Sequence, residues 1–231
     1  MNKIINIVHK SAVLRKIALF FLRLFRSNNK FPGSSVYWEI RYQKGKSSGA
    51  GSYNRLAIFK AEVINSYIKE KQINTVIELG CGDGHQIELC NYPSYYGLDI
   101  SSTAISLCQL KFKDDSTKSF YVYDANRNLS TLKSELSLSL DVLYHLIEET
   151  VFEKYMYDLF NLASRYVIIY SSNYDTPQFY HEKDRNFTNW IETNINGWKL
   201  GNVIKNKYPY DVKDPDNTSK ADFFLYEKII N

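Results

Sequence analysis

The sequence predicts an α/β domain: a mostly parallel sheet of seven strands with one antiparallel strand, helices on both faces, and an amphipathic helix ahead of it. Three observations carry that expectation. Between residues 75 and 170, strand-like runs alternate with helical ones, and such alternation builds a parallel sheet. After residue 195 two strand-like runs follow with no helical pattern between them, which predicts a closing hairpin and the antiparallel strand. The third is the run VIELGCGDGHQ at residues 76–86, where a short buried-strand pattern leads straight into a glycine-rich exit. Ligands of open sheets sit at the carboxyl ends of the strands, where such an exit falls.

Residues 12–26 have the pattern of a basic amphipathic helix. Arg15, Lys16, Arg23 and Arg26 share one arc, and Val13, Leu14, Ile17, Phe20, Phe21, Leu24 and Phe25 the opposite side, while Leu19 and Leu22 fall toward the basic one. The longest apolar run there, residues 17–22, is far shorter than the roughly 20 residues that span a bilayer. Cations after that run and the lack of a small-residue cleavage site do not fit a signal peptide. Two roles stay open: lying on an anionic membrane surface, or docking the apolar face on protein. Residues 28–35 read as a linker, 37–42 as a short aromatic helix and 45–52 as a small-residue loop. A long helix over 53–71 follows from the spacing of Leu56, Phe59, Val63, Ile64 and Ile68. Strands are expected at 75–79, 95–99, 119–123, 138–142, 166–170, 199–206 and 221–227. Helices are expected at 86–91, 102–112, 148–162 and 182–195. The chain thus divides into a basic segment (1–30), a linker and capping segment (31–53) and the main domain (54–231).

The 231 residues suffice for one domain with an ample core. Its 19 tyrosines bring apolar area with a hydroxyl, suited to cross-strand packing and to a ring-lined polar cleft. Cys81, Cys90 and Cys108 form neither a disulfide framework nor a metal-ligand spacing, so a reducing, cytoplasmic setting is expected, and no metal. The net charge of +4 is unevenly placed. Residues 1–30 hold seven of the 29 Lys and Arg and no acid, leaving 22 cations against 25 acids in the rest. A net-acidic body argues against a nucleic-acid partner.

The glycine-rich exit reads E-x-G-x-G-x-G, with Glu78 before Gly80, Gly82 and Gly84. The dinucleotide fingerprint is G-x-G-x-x-G, with a pyrophosphate on the helix N-terminus. A carboxylate at Glu78 repels phosphate and favours a cationic ligand, which disfavours an NAD-dependent enzyme. Seventeen residues after Gly82, Asp99 closes the next strand, where a carboxylate can accept both ribose hydroxyls. The segment resembles motif I of class I S-adenosylmethionine (SAM)-dependent methyltransferases, whose Rossmann-like sheet has this seven-stranded order. The resemblance covers about residues 54–228. It implies SAM as cofactor, with its amino-acid portion against Gly80, Cys81 and Gly82, and its ribose on Asp99, beside Ile100. It further implies the adenine on Asp124 and the Ala125 N–H, although an Asp at a strand end is also an ordinary turn former. Asp141 matches the acid of motif IV, near the methionine end of the cofactor. His145, four residues on, is the candidate general base, with a buried structural histidine as the alternative.

Two segments suggest an acceptor pocket. GKSSGAGSYNR, residues 45–55, sets small residues before a helix N-terminus with Lys46, Tyr53 and Arg55 nearby; it reads as an anion site or as a loop capped by Ser52. HEKDRNFTNW, residues 181–190, adds His181, Arg185 and rings suited to a polar ring such as a sugar, with Tyr144 on the strand-four side. Residues 208–219 read as a solvated connection. Together, YWEIRYQKGKSSGAGSYNRL, VIELGCGDG and SLDVLYHL look like a subgroup of small bacterial methyltransferases associated with surface-polysaccharide synthesis. That resemblance implies O-methylation of a sugar or modified phosphate on a glycan precursor; a peripheral contact of residues 1–30 with the inner face of the membrane would suit a lipid-linked precursor, and other membrane-bound acceptors equally. The alternatives are a non-catalytic adaptor that keeps the SAM fold and is recruited to the membrane, or a methyltransferase acting on another small molecule.

Overall fold

A computed structural model describes residues 31–127, 129 and 131–229. The basic segment 1–30, with its expected helix at 12–26, lies outside the described residues. Helix α1 (Ser34–Gln43) and a 3-10 turn (Ala50–Ser52) precede α2 (Asn54–Lys71). Then come β1 (Thr75–Leu79), α3 (His85–Glu88), β2 (Ser94–Asp99), α4 (Ser102–Lys111), β3 (Lys118–Val122) and β4 (Ser134–Leu140). A 3-10 turn (Leu143–His145), α5 (Glu149–Leu162), β5 (Ala163–Ser171), α6 (Phe187–Asn194), β6 (Trp198–Ile204) and β7 (Asp222–Lys228) complete the order.

The sheet runs β3-β2-β1-β4-β5-β7-β6. β1 to β5 pair in parallel, and β7 runs antiparallel to both β5 and β6, as the missing crossover helix predicts. Alternation of side chains along each strand divides the core between the two faces. On one face Val76, Leu136, Leu138, Ile168 and Phe223 pack with Phe59, Ile64 and Ile68 of α2 and Ile105 of α4. On the other, Ile77, Val167, Ile169 and Phe224 pack with Phe152, Met156 and Leu159 of α5 and Phe187 and Ile191 of α6. Each such side chain, fully buried, contributes about 1.5–3 kcal/mol of transfer free energy. In register, Leu79 lies opposite Leu98, and Leu140 opposite Tyr170. The ends of β1, β2 and β4 therefore share one edge of the sheet, and that edge carries the site.

Three expectations change. β4 is Ser134–Leu140, not 138–142: its SELSLSL pattern alternates serine with leucine, yet Ser134, Ser137 and Ser139 are buried, so the polar residues hid the strand. Asp141 lies beyond the strand, at φ 61. The helix expected at 182–195 spans only Phe187–Asn194, because the Asn186 side chain caps it by accepting from the Asn189 N–H. Ser34 and Ser35 belong to α1 and not to a linker: the Ser34 hydroxyl donates to Glu148 Oε2 at 2.7 Å, tying the start of α1 to the start of α5.

Candidate functional site

The ends of β1, β2 and β4, roofed by α1, enclose a cleft of about 890 Å³, part of it open to solvent. Gly80 and Gly82 take φ values of 85° and 59°. The Gly80 and Cys81 N–H groups both donate to the Leu98 carbonyl, at 2.7 and 3.1 Å, and fasten the loop to β2. A Cβ at Gly82 would collide with the Ser48 hydroxyl, and one at Gly80 with the Val142 side chain. These glycines thus let neighbouring protein close on the loop, in addition to presenting its backbone to the cleft.

Three carboxylates face the cleft. Glu78 accepts from the Tyr95 hydroxyl at 2.6 Å, and burial pushes its pKa up to about 7. Asp99 accepts from the Gly82 and Ser101 N–H groups, both at 2.9 Å, and burial raises it to about 6 in spite of them. Asp141 accepts from Lys60 Nζ at 2.6 Å and from the Tyr144 hydroxyl at 2.8 Å. Lys60 is a residue that sequence reasoning missed. It sits on the apolar stripe of α2, four residues after Leu56 and four before Ile64, and is fully buried. A lysine on the buried face of an amphipathic helix needs a partner, and that was the available signal. Removing one member of such a pair strands the other's charge. Lys60→Met is expected to cost about 3–5 kcal/mol in denaturant unfolding, and Lys60→Met/Asp141→Asn distinctly less than the sum of the single changes. Additive losses would show that the pair is not coupled.

Beyond Asp141, rings close the cleft. His145 Nδ1 lies 3.1 Å from the His181 carbonyl. A carbonyl only accepts, so the Nδ1 carries the proton and Nε2 keeps a free lone pair. Burial pulls the His145 pKa down to about 4, against the pull of that hydrogen bond, and leaves the ring neutral at physiological pH. The His145 and His181 rings stack at 5.3 Å and 10°, Tyr37 stacks on His181 at 4.7 Å, and Trp38 meets His145 edge-on at 5.0 Å. Among the described residues, His145, His181 and Glu182 have ligand-type atoms within 4.8 Å of one another. The in-plane lone pairs of stacked imidazoles do not converge, and Glu182 is engaged by Lys220 at 3.2 Å, so the group is built as a ring stack and not as a chelate.

The roof is tied to the loops that it covers. Ser34, Trp38 and Tyr42, four residues apart on α1, line the cleft. Glu39 accepts from the Ser101 hydroxyl at 2.7 Å and the Thr103 hydroxyl at 2.6 Å, and these bonds pull its pKa down to about 2. Ser48 and Asp83 bond reciprocally, N–H to carboxylate at 2.8 Å and N–H to hydroxyl at 3.0 Å.

Of the residues singled out in the sequence, Glu78, Gly80, Cys81, Gly82, Asp99, Ile100, Asp141 and His145 line the cleft. Tyr144 and His181 stand directly behind Asp141 and His145. Others lie outside the lining. Asp124 accepts from the Asn126 N–H at 2.9 Å and faces Arg127, with Ala125 next to it, while Tyr123 takes the place in the cleft wall. The Tyr53 hydroxyl donates to Asp83, and its ring stacks on His85. Arg55 binds Asp214 and the Asn217 carbonyl. Arg185 is buried and donates to the Leu146 and Ile147 carbonyls, which fixes the segment after His145.

No protein-family model matches the chain, and no curated protein matches it in sequence. Solved structures do match it in fold. With magnesium protoporphyrin IX methyltransferase from Synechocystis PCC 6803, solved with bound SAM, the TM-score is 0.63 at 16% identity, over 87% of this chain and 99% of that one. With the N-methyltransferase NodS from Bradyrhizobium japonicum WM9, in complex with S-adenosyl-L-homocysteine (SAH), it is 0.60 at 12% identity, over 75% and 86%. With the methyltransferase domain of bacterial CtHen1 it is 0.58 at 16% identity, over 75% and 98%. The chain has the fold of class I SAM-dependent methyltransferases.

Proposed function

We propose that this protein is a SAM-dependent methyltransferase whose acceptor presents a hydroxyl to His145. The observation that carries the reading is the charge of the cleft: Glu78, Asp99 and Asp141 against the single cation Lys60. Such a lining disfavours a cofactor with a pyrophosphate and suits one with an ammonium and a sulfonium. SAM, when bound, supplies a methyl group activated by the adjacent positive sulfur. Asp99, at the end of β2, would accept the ribose hydroxyls, and its own backbone bonds hold it still. Ile100 and Tyr123 offer apolar surface to the base. The roof of Trp38 and Tyr42 shields the cleft from water. Neutral His145, its tautomer fixed by the His181 carbonyl, can receive the acceptor's proton on Nε2. Much of the rate enhancement then comes from holding the acceptor in line, which costs the protein no strong base.

For the acceptor we take up the sequence resemblance: a sugar hydroxyl or modified phosphate of a surface-glycan precursor, with residues 1–30 as the contact to a membrane surface. Among the described residues no helix is long and apolar enough to cross a membrane. The first experiment is calorimetric titration with SAM, SAH and NAD in parallel, followed by a screen of nucleotide sugars and lipid-linked glycans for SAH release. Binding of SAM and SAH without NAD is expected. Binding of NAD alone, or of none of the three, would remove the proposal, and the latter would favour a non-catalytic adaptor.

A further inference from the structure

The roof helix α1 has two flanks with different neighbours. Its inward residues are Ser34, Trp38 and Tyr42, and successive residues step by about 100° around a helix. Glu39 therefore projects to one side, where it meets Ser101 and Thr103 at the start of α4. Tyr37 and Arg41, one turn apart, project to the other, where Tyr37 stacks on His181. That flank is the acceptor side, since His181 in turn stacks on His145. Arg41 is partly buried there. Its Nε donates to the Ser47 carbonyl at 2.7 Å, and its guanidinium lies 5.6 Å from the centre of the Trp38 ring. Burial pulls the His181 pKa down, against Glu182 and with help from Arg41, so the guanidinium is within charge reach of that ring.

The unused edge of Arg41 sets it apart. Arg55, Arg127, Arg165 and Arg185 pair with Asp214, Asp124, Glu135 and Glu149. Arg41, the remaining arginine among the described residues, forms no ion pair with any of them, and its two terminal nitrogens make no hydrogen bond to them. The carboxylates of the neighbouring segments are engaged elsewhere: Glu39 by Ser101 and Thr103, Asp83 by Ser48 and Tyr53, and Glu182 by Lys220. Gly49 borders the fork with no side chain of its own; a Cβ built on it would stand 3.9 Å from Nη2. A cation in the last turn of a helix suits the helix dipole, which accounts for the charge at this place. It does not account for a guanidinium tied by Nε alone, with the pair of nitrogens that grips an oxyanion left open.

We propose that Arg41 reads an anionic group, a phosphate ester or a carboxylate, that the acceptor carries beside the hydroxyl it presents to His145. The assignment rests on the methyl-transfer reading above and narrows its acceptor from any hydroxyl to one on an anionic molecule. Charge then orients that molecule. Glu78, Asp99 and Asp141 repel an anion from the floor of the cleft, Arg41 holds it at the flank of the roof, and the hydroxyl is the end that enters. A neutral sugar has no group for the fork and gains nothing from it.

The test is arginine labelling by phenylglyoxal of the full-length wild-type protein saturated with SAH. Inorganic phosphate, acetate or chloride is present at equal ionic strength, and peptide mass spectrometry reads Arg41 against the exposed Arg127. Phosphate or acetate is expected to slow the labelling of Arg41 at least about fivefold relative to chloride, and that of Arg127 by less than about twofold. Protection by phosphate alone assigns a phosphate ester, by acetate alone a carboxylate, and by both an oxyanion site that takes either. No protection beyond that of chloride, equal protection of both arginines, or an Arg41 that resists labelling even in chloride would each overturn the assignment. Arg41→Gln should bind SAH within about twofold of wild type in calorimetric titration. A larger loss would give the guanidinium to the cofactor instead of the acceptor and would equally overturn it. Wild-type protein that does not bind SAH would overturn the methyl-transfer reading itself, whereas SAH binding without anion protection overturns the role of Arg41 alone.

Discussion

Replacing Asp99 by alanine is expected to weaken SAH binding at least about a hundredfold, the loss of two hydrogen bonds to a charged acceptor. The carboxylate stands at the end of β2 with one oxygen held by the Gly82 N–H and the other by the Ser101 N–H, so it is oriented before any ligand arrives. Its pKa of about 6, raised by burial, adds a second signature. Ribose hydroxyls donate to the ionised form, so SAH affinity in the wild type should rise with pH through about 6 and then level off, and this dependence should be missing in Asp99→Ala. Folding stability runs the other way. A carboxyl whose folded pKa lies above its unfolded value binds more protons in the native state, so over that window stability falls as pH rises. Asp99 and Glu78, at about 6 and about 7, both act in this direction. The free protein should therefore gain stability on acidification from neutral pH toward 5, where binding weakens. Cooperative unfolding of Asp99→Ala with intact secondary structure guards against a trivial loss of fold. An Asp99→Ala protein that binds SAH like wild type would take Asp99 out of the site.

What could be read from residues alone follows a physical division. The glycine loop, Glu78 and Asp99 announce themselves because each is a local signal: positive φ at Gly80 and Gly82, and an acid closing an apolar strand. The seven strands were legible wherever apolar runs are unbroken, as in β1 and β5, and least where buried serines interrupt them, as in β4. Partnerships across the fold were not legible. That Lys60 meets Asp141 depends on how α2 packs over the ends of β1 and β4, and 81 residues separate the two in the chain. The cap of α1 was expected, yet not that Glu39 would fasten it to the start of α4 or that Ser34, Trp38 and Tyr42 would be the residues facing inward. Arg55 and Arg185 carried an apparent substrate signal in the sequence because a free guanidinium and a satisfied one look alike there. In the fold Arg55 donates to Asp214 and Asn217, and the two terminal nitrogens of Arg185 donate to the Leu146 and Ile147 carbonyls.

Turnover should depend on His145 more than on any other residue outside the cofactor contacts. His145→Ala is expected to lower kcat by about 10²–10⁴-fold, the range for a positioned acid–base group, while SAH affinity stays within about twofold of wild type. The pH profile distinguishes a base from a packing residue. Burial holds the imidazole near 4, so its neutral form predominates at every pH where the protein is ordinarily assayed. The wild-type rate should therefore be flat with respect to His145 from about pH 5 upward, instead of rising through the 6.5 of an ordinary histidine. Acceleration below that point is not expected, because protonation would remove the lone pair on Nε2. His145→Gln offers a neutral side chain of similar reach that can accept a hydrogen bond but not take up a proton. If orientation of the acceptor is the main contribution, His145→Gln should recover part of the rate lost in His145→Ala; if proton uptake is, the two variants should be equally slow. Full activity in both would show that the ring stack of His145, His181 and Tyr37 serves only to close the cleft. The proton of the acceptor would then leave by another route.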